Sequence, residues 1–353
     1  MLMKQLRTGV IGVGTWGVNH ARAYSAYPLS HLQAVCDQNK KRAEQVAAET
    51  GSQEVYTDYR QMLKEANLDA VSVATPDFLH REIVEASLDA GLAVLVEKPL
   101  TTNQSDLDAI LDRVESSGGK FAVNYMMRWS PKYAKARQAV EEKHLGEPLL
   151  GEARFHDAIQ VPREMLSWSG KSSPLFFIGI HIIDALLWVL GRRVVEVESR
   201  ALRKQLVSEG IDTSDCLLSF LTLDNDAIIV LEAGWCLPES AKAYVEQYLR
   251  LVGTKGVIEV DHTNGGVEVY SDPLMSPYAG AVDNVRGYPF PATSMGYING
   301  RMYGYLKEAV CHFVDCVLYD QPHIVTLEEC RHTTEVMLAV NESAKRGKKI
   351  KLS

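Results

Sequence analysis

The sequence predicts a two-part α/β plus α+β protein: a doubly wound parallel sheet over residues 1–125, then an α+β domain with a mostly antiparallel open sheet over 126–353. Three observations carry this. Strand and helix patterns alternate through the first 125 residues with little padding, as crossover helices on a parallel sheet require. Beyond residue 149 the text changes to long strand-like runs separated by turn signals such as Asp224-Asn225 and Gly253–Gly256. A chain of 353 residues also exceeds the size at which one hydrophobic core keeps growing.

In order, strands are expected over 8–12, 32–37, 54–56, 70–74, 93–97 and 121–125, and helices over 17–26, 40–50, 59–65, 79–90 and 104–117. Gly51, Gly91 and Gly118 follow three of these helices, where a left-handed C-terminal cap favours glycine. After a helix over 131–143, strands are expected over 149–158, 194–202, 215–223, 227–235, 244–253 and 256–261, interrupted by a helix over 176–190. Helices over 302–319 and 327–346 close the chain. Residues 272–300, rich in Pro, Gly and Tyr, read as a long irregular loop, a candidate lid or interface.

Composition narrows the function. The chain is 46% hydrophobic and 23% charged, as in a folded globular protein, and its net charge of -8 without a basic stripe argues against nucleic acid as a partner. The apolar run Phe176–Leu190 is broken by His181 and Asp184, so no membrane span is expected. The opening residues lead straight into a glycine turn rather than a cleavage site, and the six cysteines show no C-x-x-C spacing. Reduced thiols in a cytoplasmic protein are the expectation. The histidines and carboxylates show no metal-ligand spacing, and no metal is expected.

Gly12-Val-Gly14-Thr15-Trp16-Gly17 fits G-x-G-x-x-G between a strand and a helix, the context in which the pattern binds a dinucleotide. Gly12 permits the tight turn, Gly14 lets the backbone approach a pyrophosphate, and Gly17 lets helix and strand pack closely. Asp37 ends the second strand 20 residues later, placed to accept from the adenosine ribose hydroxyls. Like charge there disfavours a 2'-phosphate, so NAD is favoured, with NADP left open by Lys40, Lys41 and Arg42. Thr75 and Pro76 after the fourth strand, and Glu97 and Lys98 after the fifth, end strands at the cofactor side of such a sheet. A lysine beside a nicotinamide can exchange a proton with a substrate oxygen as hydride moves. Trp168 and Trp235 offer aromatic planes suited to a sugar ring.

The order GVGTWG, Asp37, ATPD (74–77), EKP (97–99) and GIHIID (179–184), together with NYMMRWSPKY (124–133) and YLRLVGTKGVIEV (248–260), resembles the glucose-fructose oxidoreductase and inositol dehydrogenase family over essentially the whole chain. The resemblance implies a Rossmann domain and NAD-dependent oxidation of a sugar, cyclitol or related polyol. It makes Lys98 catalytic and substrate-binding, and His181 the second catalytic residue. It implies that Arg128 and His156 line the substrate pocket and that Trp235 lies near its edge. The family pattern has an aspartate four residues before the histidine. Here that position is Phe177, so His181 acts alone, is oriented by Asp184, or binds a hydroxyl. The resemblance also implies dimers or tetramers through the second sheet. It leaves two alternatives open, an NAD-dependent glycosidase with transient redox at the sugar ring and a dinucleotide-binding sensor or regulator without turnover.

Overall fold

The computed structural model describes residues 5–241, 244–261, 296–298 and 301–352. They divide between two compact units, one drawn from Met1–Met126 and Met295–Arg331, the other from Met127–Ser294 and His332–Ser353.

The first unit is built on a six-stranded parallel sheet in the order β3-β2-β1-β4-β5-β6. Its strands are β1 (Leu6–Ile11), β2 (Ser30–Cys36), β3 (Glu54–Tyr56), β4 (Ala70–Val73), β5 (Ala93–Val96) and β6 (Phe121–Val123). They alternate with α1 (Gly17–Ala26), α2 (Lys40–Thr50), α3 (Tyr59–Glu65), α4 (His80–Asp89) and α5 (Gln104–Ser117). The central strands AVSV and AVLV are buried at every position, as a parallel sheet covered on both faces requires. Asn39 and Asn103 cap α2 and α5 by accepting from the amides of Arg42 and Asp106, and Gly51 and Gly118 end them in the left-handed region.

Residues 295–331, expected in the second domain, belong to this first unit. The helix Tyr305–Leu318 packs on α1, and the Tyr27 hydroxyl donates to Asp315 at 2.6 Å. Strand–helix periodicity carries no record of such a return, because the contact is made across nearly the length of the chain. A short hairpin, Gly296–Ile298 with Arg301–Tyr303, precedes that helix. The rest of the expected 272–300 loop lies outside the described residues.

The second unit holds a seven-stranded sheet, whose main strands are β7 (Pro148–Ala158), β8 (Val194–Leu202), β9 (Cys216–Leu223), β10 (Ile228–Leu237), β11 (Val245–Gly253) and β12 (Val257–Asp261). The order is β12-β11-β7-β10-β9-β8, with Ile350–Lys351 added at the β8 edge. Only the central β7–β10 pair is parallel. Inward residues Ala153, Phe155, Leu231 and Ala233 form the buried face, and α6 (Pro131–Glu141) and α7 (Ile180–Leu190) complete the layer. The helix expected over 176–190 is two pieces, a π-helical turn over Leu175–Gly179 and then α7. Its apolar text fits either winding, so the change of pitch left no mark in the periodicity. Among the described residues no helix is long and apolar enough to cross a membrane.

One contact sets how α1 meets the sheet. A Cβ on Gly17 would lie 1.7 Å from the Gly12 carbonyl oxygen and 3.2 Å from Ala74 Cβ. We therefore expect Gly17→Ala to lower Tm by about 5 °C or more in calorimetry, since backbone must move to admit the methyl group. An unchanged Tm would show that the turn has slack that these distances deny.

Candidate active site

Strand order reverses between β1 and β4, and ligands of open α/β sheets bind outside the carboxyl ends of the strands at that reversal. The turn after β1 has the required shape. Gly12 holds φ +84°, and a side chain there would meet Ala74 O at 2.8 Å. A Cβ on Gly14 would find nothing nearer than Arg42 Nη1 at 3.9 Å, so the backbone is open to a close-lying group. Thr15 and Trp16 complete the turn, with the Thr15 carbonyl accepting from Asn19 Nδ2 at 3.0 Å. The Asp37 carboxylate is fixed by the amides of Val13 (3.1 Å) and Asn39 (2.8 Å) and by Arg42 Nη1 at 3.3 Å. After β4, Thr75 Oγ1 is buried and has no hydrogen-bond partner among the described residues, beside the half-buried Pro76. An open glycine cradle, a fixed carboxylate at the end of β2 and an orphaned hydroxyl at the end of β4 fit a dinucleotide: Gly12–Gly17 for the pyrophosphate, Asp37 for the ribose and Thr75 for the nearby polar edge.

The second loop of this unit is organised by groups the sequence reading left out. Glu97 was assigned to the cofactor, yet its carboxylate is buried beneath the loop. Oε1 lies 2.8 Å from His20 Nε2 and accepts from Asn124 Nδ2 at 2.7 Å, and Oε2 accepts from the Lys98 amide at 3.3 Å. His20 Nδ1 is 3.0 Å from Ser72 Oγ, which is 2.7 Å from Tyr24 OH. Burial works to raise the Glu97 carboxyl, but hydrogen bonding and charge from His20, the Lys98 charge and the Asn124 hydrogen bond outweigh it and hold it down at about 2. Glu97 thus anchors the backbone of Lys98, which is 7% exposed at the start of the Lys98–Pro99 cis peptide. His80 ties the two loops together, with Nε2 3.0 Å from Thr75 O and Nδ1 2.9 Å from Pro99 O. The signal for this network was a polar residue at a buried position of each element: His20 and Tyr24 four apart on α1, and Ser72 in β4.

In the second unit α7 presents His181, whose ring lies 5.9 Å from that of Phe155 on β7. Phe177, on the π turn, joins Trp168 (6.2 Å, edge-on) to Trp235 (5.9 Å) in an aromatic row. Asp184 accepts from Arg128 Nη2 at 2.6 Å and Nε at 3.1 Å, and the two side chains are almost wholly buried. Of these candidates Trp168 and Trp235 come together on Phe177, with His181 four residues further along the chain and an internal Arg128–Asp184 ion pair in the same unit. His156 does not join them. It follows Phe155 on the strand, so alternation sends it to the opposite face, against Cys236 and Glu232.

A family model described as "Oxidoreductase family, NAD-binding Rossmann fold" matches residues 6–125, and the GFO/IDH/MocA C-terminal domain matches residues 133–259. UDP-N-acetylglucosamine 3-dehydrogenase of Acidithiobacillus ferrooxidans is 30% identical over 76% of this chain and 78% of its own length. The chain belongs to the GFO/IDH/MocA family. The scyllo-inositol 2-dehydrogenase (NAD(+)) of Bacillus subtilis is 27% identical over 99% of this chain and 96% of its own. The scyllo-inositol dehydrogenase of Lactobacillus casei, solved with bound NAD(H) and scyllo-inositol, superposes with a TM-score of 0.80 at 20% identity, covering 99% of each chain. As a GFO/IDH/MocA protein the chain is an NAD-dependent oxidoreductase. Among its described residues no group of three or more His, Cys, Asp or Glu side chains is arranged to hold a metal.

The buried carboxylate gives a test. A carboxyl held at about 2 against an ordinary 4.5 contributes stability that is fully present above about pH 4.5 and is lost as pH falls toward 2. Glu97→Gln should destabilise the fold by roughly 3 kcal/mol at neutral pH, with the gap to the native chain closing through that window in denaturant titrations. A gap independent of pH would mean that Glu97 is not held ionised.

Proposed function

We propose that the chain is a dehydrogenase of a cyclitol, sugar or related polyol in which Lys98 exchanges the proton of the reacting hydroxyl and His181 binds or polarises that oxygen. The observation that carries the reading is the seating of Lys98. A buried lysine at the carboxyl end of β5, directly after the ionised Glu97 that accepts from its backbone amide, is held in place with little solvent around it. NAD, when bound, supplies the centre that accepts or returns the hydride. The chain's own part is then to hold the dinucleotide along Gly12–Gly17, Asp37 and Thr75, and to move one proton at the substrate oxygen through Lys98.

In the second unit, Phe177 and Trp168 are half-buried and offer aromatic surface near His181, suited to the C–H face of a ring. Arg128 and Asp184 support this group from within, through a buried ion pair that ties Arg128 to α7 three residues beyond His181. Named relatives that oxidise inositols and a nucleotide sugar agree with a ring-hydroxyl substrate.

The open face of the second sheet carries Leu150, Leu218, Phe220 and Ile228, each about half exposed. Apolar area of that kind supports a homodimer or homotetramer through this sheet, in a cytoplasmic protein.

The experiment is ultraviolet detection of NADH over a panel of inositols, pyranoses, sugar acids and glycosides, comparing the native chain with Lys98→Ala. NADH should form with at least one polyol and fall by about a hundredfold or more in the variant, with NAD affinity retained. NADH formation undiminished in the variant would remove Lys98 from the proton path.

A further inference from the structure

On the outward face of the second sheet, at the rim where β10 ends, two cysteines meet a histidine and a glutamate. Gly234 is paired with His156 on one side and Cys216 on the other, and Cys236 follows two residues later on the same strand. A Cβ on Gly234 would lie 2.7 Å from His156 Nδ1, 2.9 Å from Cys216 Cβ and 2.9 Å from Cys236 Sγ. All three groups thus crowd one point, and only the absence of a side chain at Gly234 admits them. Cys236 Sγ is 3.1 Å from His156 Nδ1, and His156 Nε2 is 3.2 Å from Glu232 Oε2. With Nε2–H donating to the carboxylate, Nδ1 is left as an acceptor facing the thiol.

We propose that Cys216 and Cys236 form a peroxide-reactive dithiol, in which Cys216 is oxidised first and Cys236, with His156 as its base, closes a disulfide onto it. The Cys216 thiolate attacks one oxygen of hydrogen peroxide. The O–O bond breaks, Cys216 becomes a sulfenic acid, and the departing hydroxide takes a proton and leaves as water. Cys236 then gives its proton to His156 Nδ1 and attacks the Cys216 sulfur, forming the S–S bond and expelling hydroxide, which leaves as water with that proton. Two thiols lose two electrons and one peroxide gains them. Glu232 stabilises the imidazolium in between.

The order of the two thiols follows from their contact. The hydrogen bond from Cys236 holds the Cys216 thiol down, at about 7, against burial and the charges of Asp215 and Glu232, and the same contact raises Cys236. The charged groups facing the pair are His156 and Arg154 on β7, Asp215 at the start of β9, Glu232 on β10 and Glu246 on β11, with Asp215 already accepting from the amides of Lys204, Gln205 and Leu206. Access is the second requirement. Cys236 is exposed and Cys216 half-buried, whereas Cys36, Cys311, Cys316 and Cys330 are buried. Leu150 and Ile228 of the apolar patch proposed above for self-association are paired at the other end of the sheet, and Leu218 of that patch lies two residues from Cys216 on the same face.

The test is peptide mapping of the full-length protein after mild peroxide treatment. A Cys216–Cys236 linked peptide, reversed by a small thiol reductant, is the expected product, with the four buried cysteines still alkylatable after unfolding. Dimedone should trap a sulfenic acid at Cys216 in Cys236→Ser, and label Cys236 in Cys216→Ser at least about tenfold less. His156→Gln should leave the first oxidation unchanged and slow closure by about tenfold or more. No linked peptide from the native chain under peroxide that oxidises free glutathione would overturn the proposal. Equal labelling in the two serine variants would overturn the assigned order.

Discussion

The buried Glu97 carboxylate is the constraint on which the first unit's loops depend. An ionised group without solvent must be met on each oxygen, and here the partners come from α1 and the segments after β5 and β6. Those same partners are thereby brought to one place, with Ser72 and Tyr24 extending the chain of contacts into the sheet and helix behind. Lys98 is the next residue, so the price of burying the carboxylate is also what orients the lysine. His80 adds a second tie, joining this loop to the one after β4.

The glycine turn works by three different exclusions. Gly12 turns through a region closed to most side chains, Gly17 stands where a methyl would strike a carbonyl, and Gly14 faces open space. Only the last leaves room for a ligand; the other two make that room by letting α1 start hard against the sheet. In the second unit the analogous device is the π turn before α7, which seats Phe177 between two tryptophans one turn ahead of His181.

Much of this was legible in the sequence because it is local. Helices such as 40–50 and 104–117 are marked by caps and periodicity that act within a few residues, and the glycine pattern before 17–26 implies its own turn. What escaped was non-local. The partners of Glu97 lie up to 77 residues away in sequence, beyond what any local pattern records. Strand alternation fixes the face of His156, but its contacts with Cys236 and Glu232 lie 80 and 76 residues away in sequence. The return of residues 295–331 to the first unit rests on long-range contacts of the kind no window reveals.

The account's central claim is net hydride transfer from a hydroxyl-bearing ring carbon, with Lys98 handling the proton. Its most direct test supplies a polyol deuterated at the reacting carbon with NAD and follows the cofactor by mass spectrometry. The account predicts accumulation of deuterated NADH with the native chain, in step with oxidised polyol. Deuterium returned to the product without accumulating in the cofactor would contradict it and point to transient oxidation followed by bond cleavage.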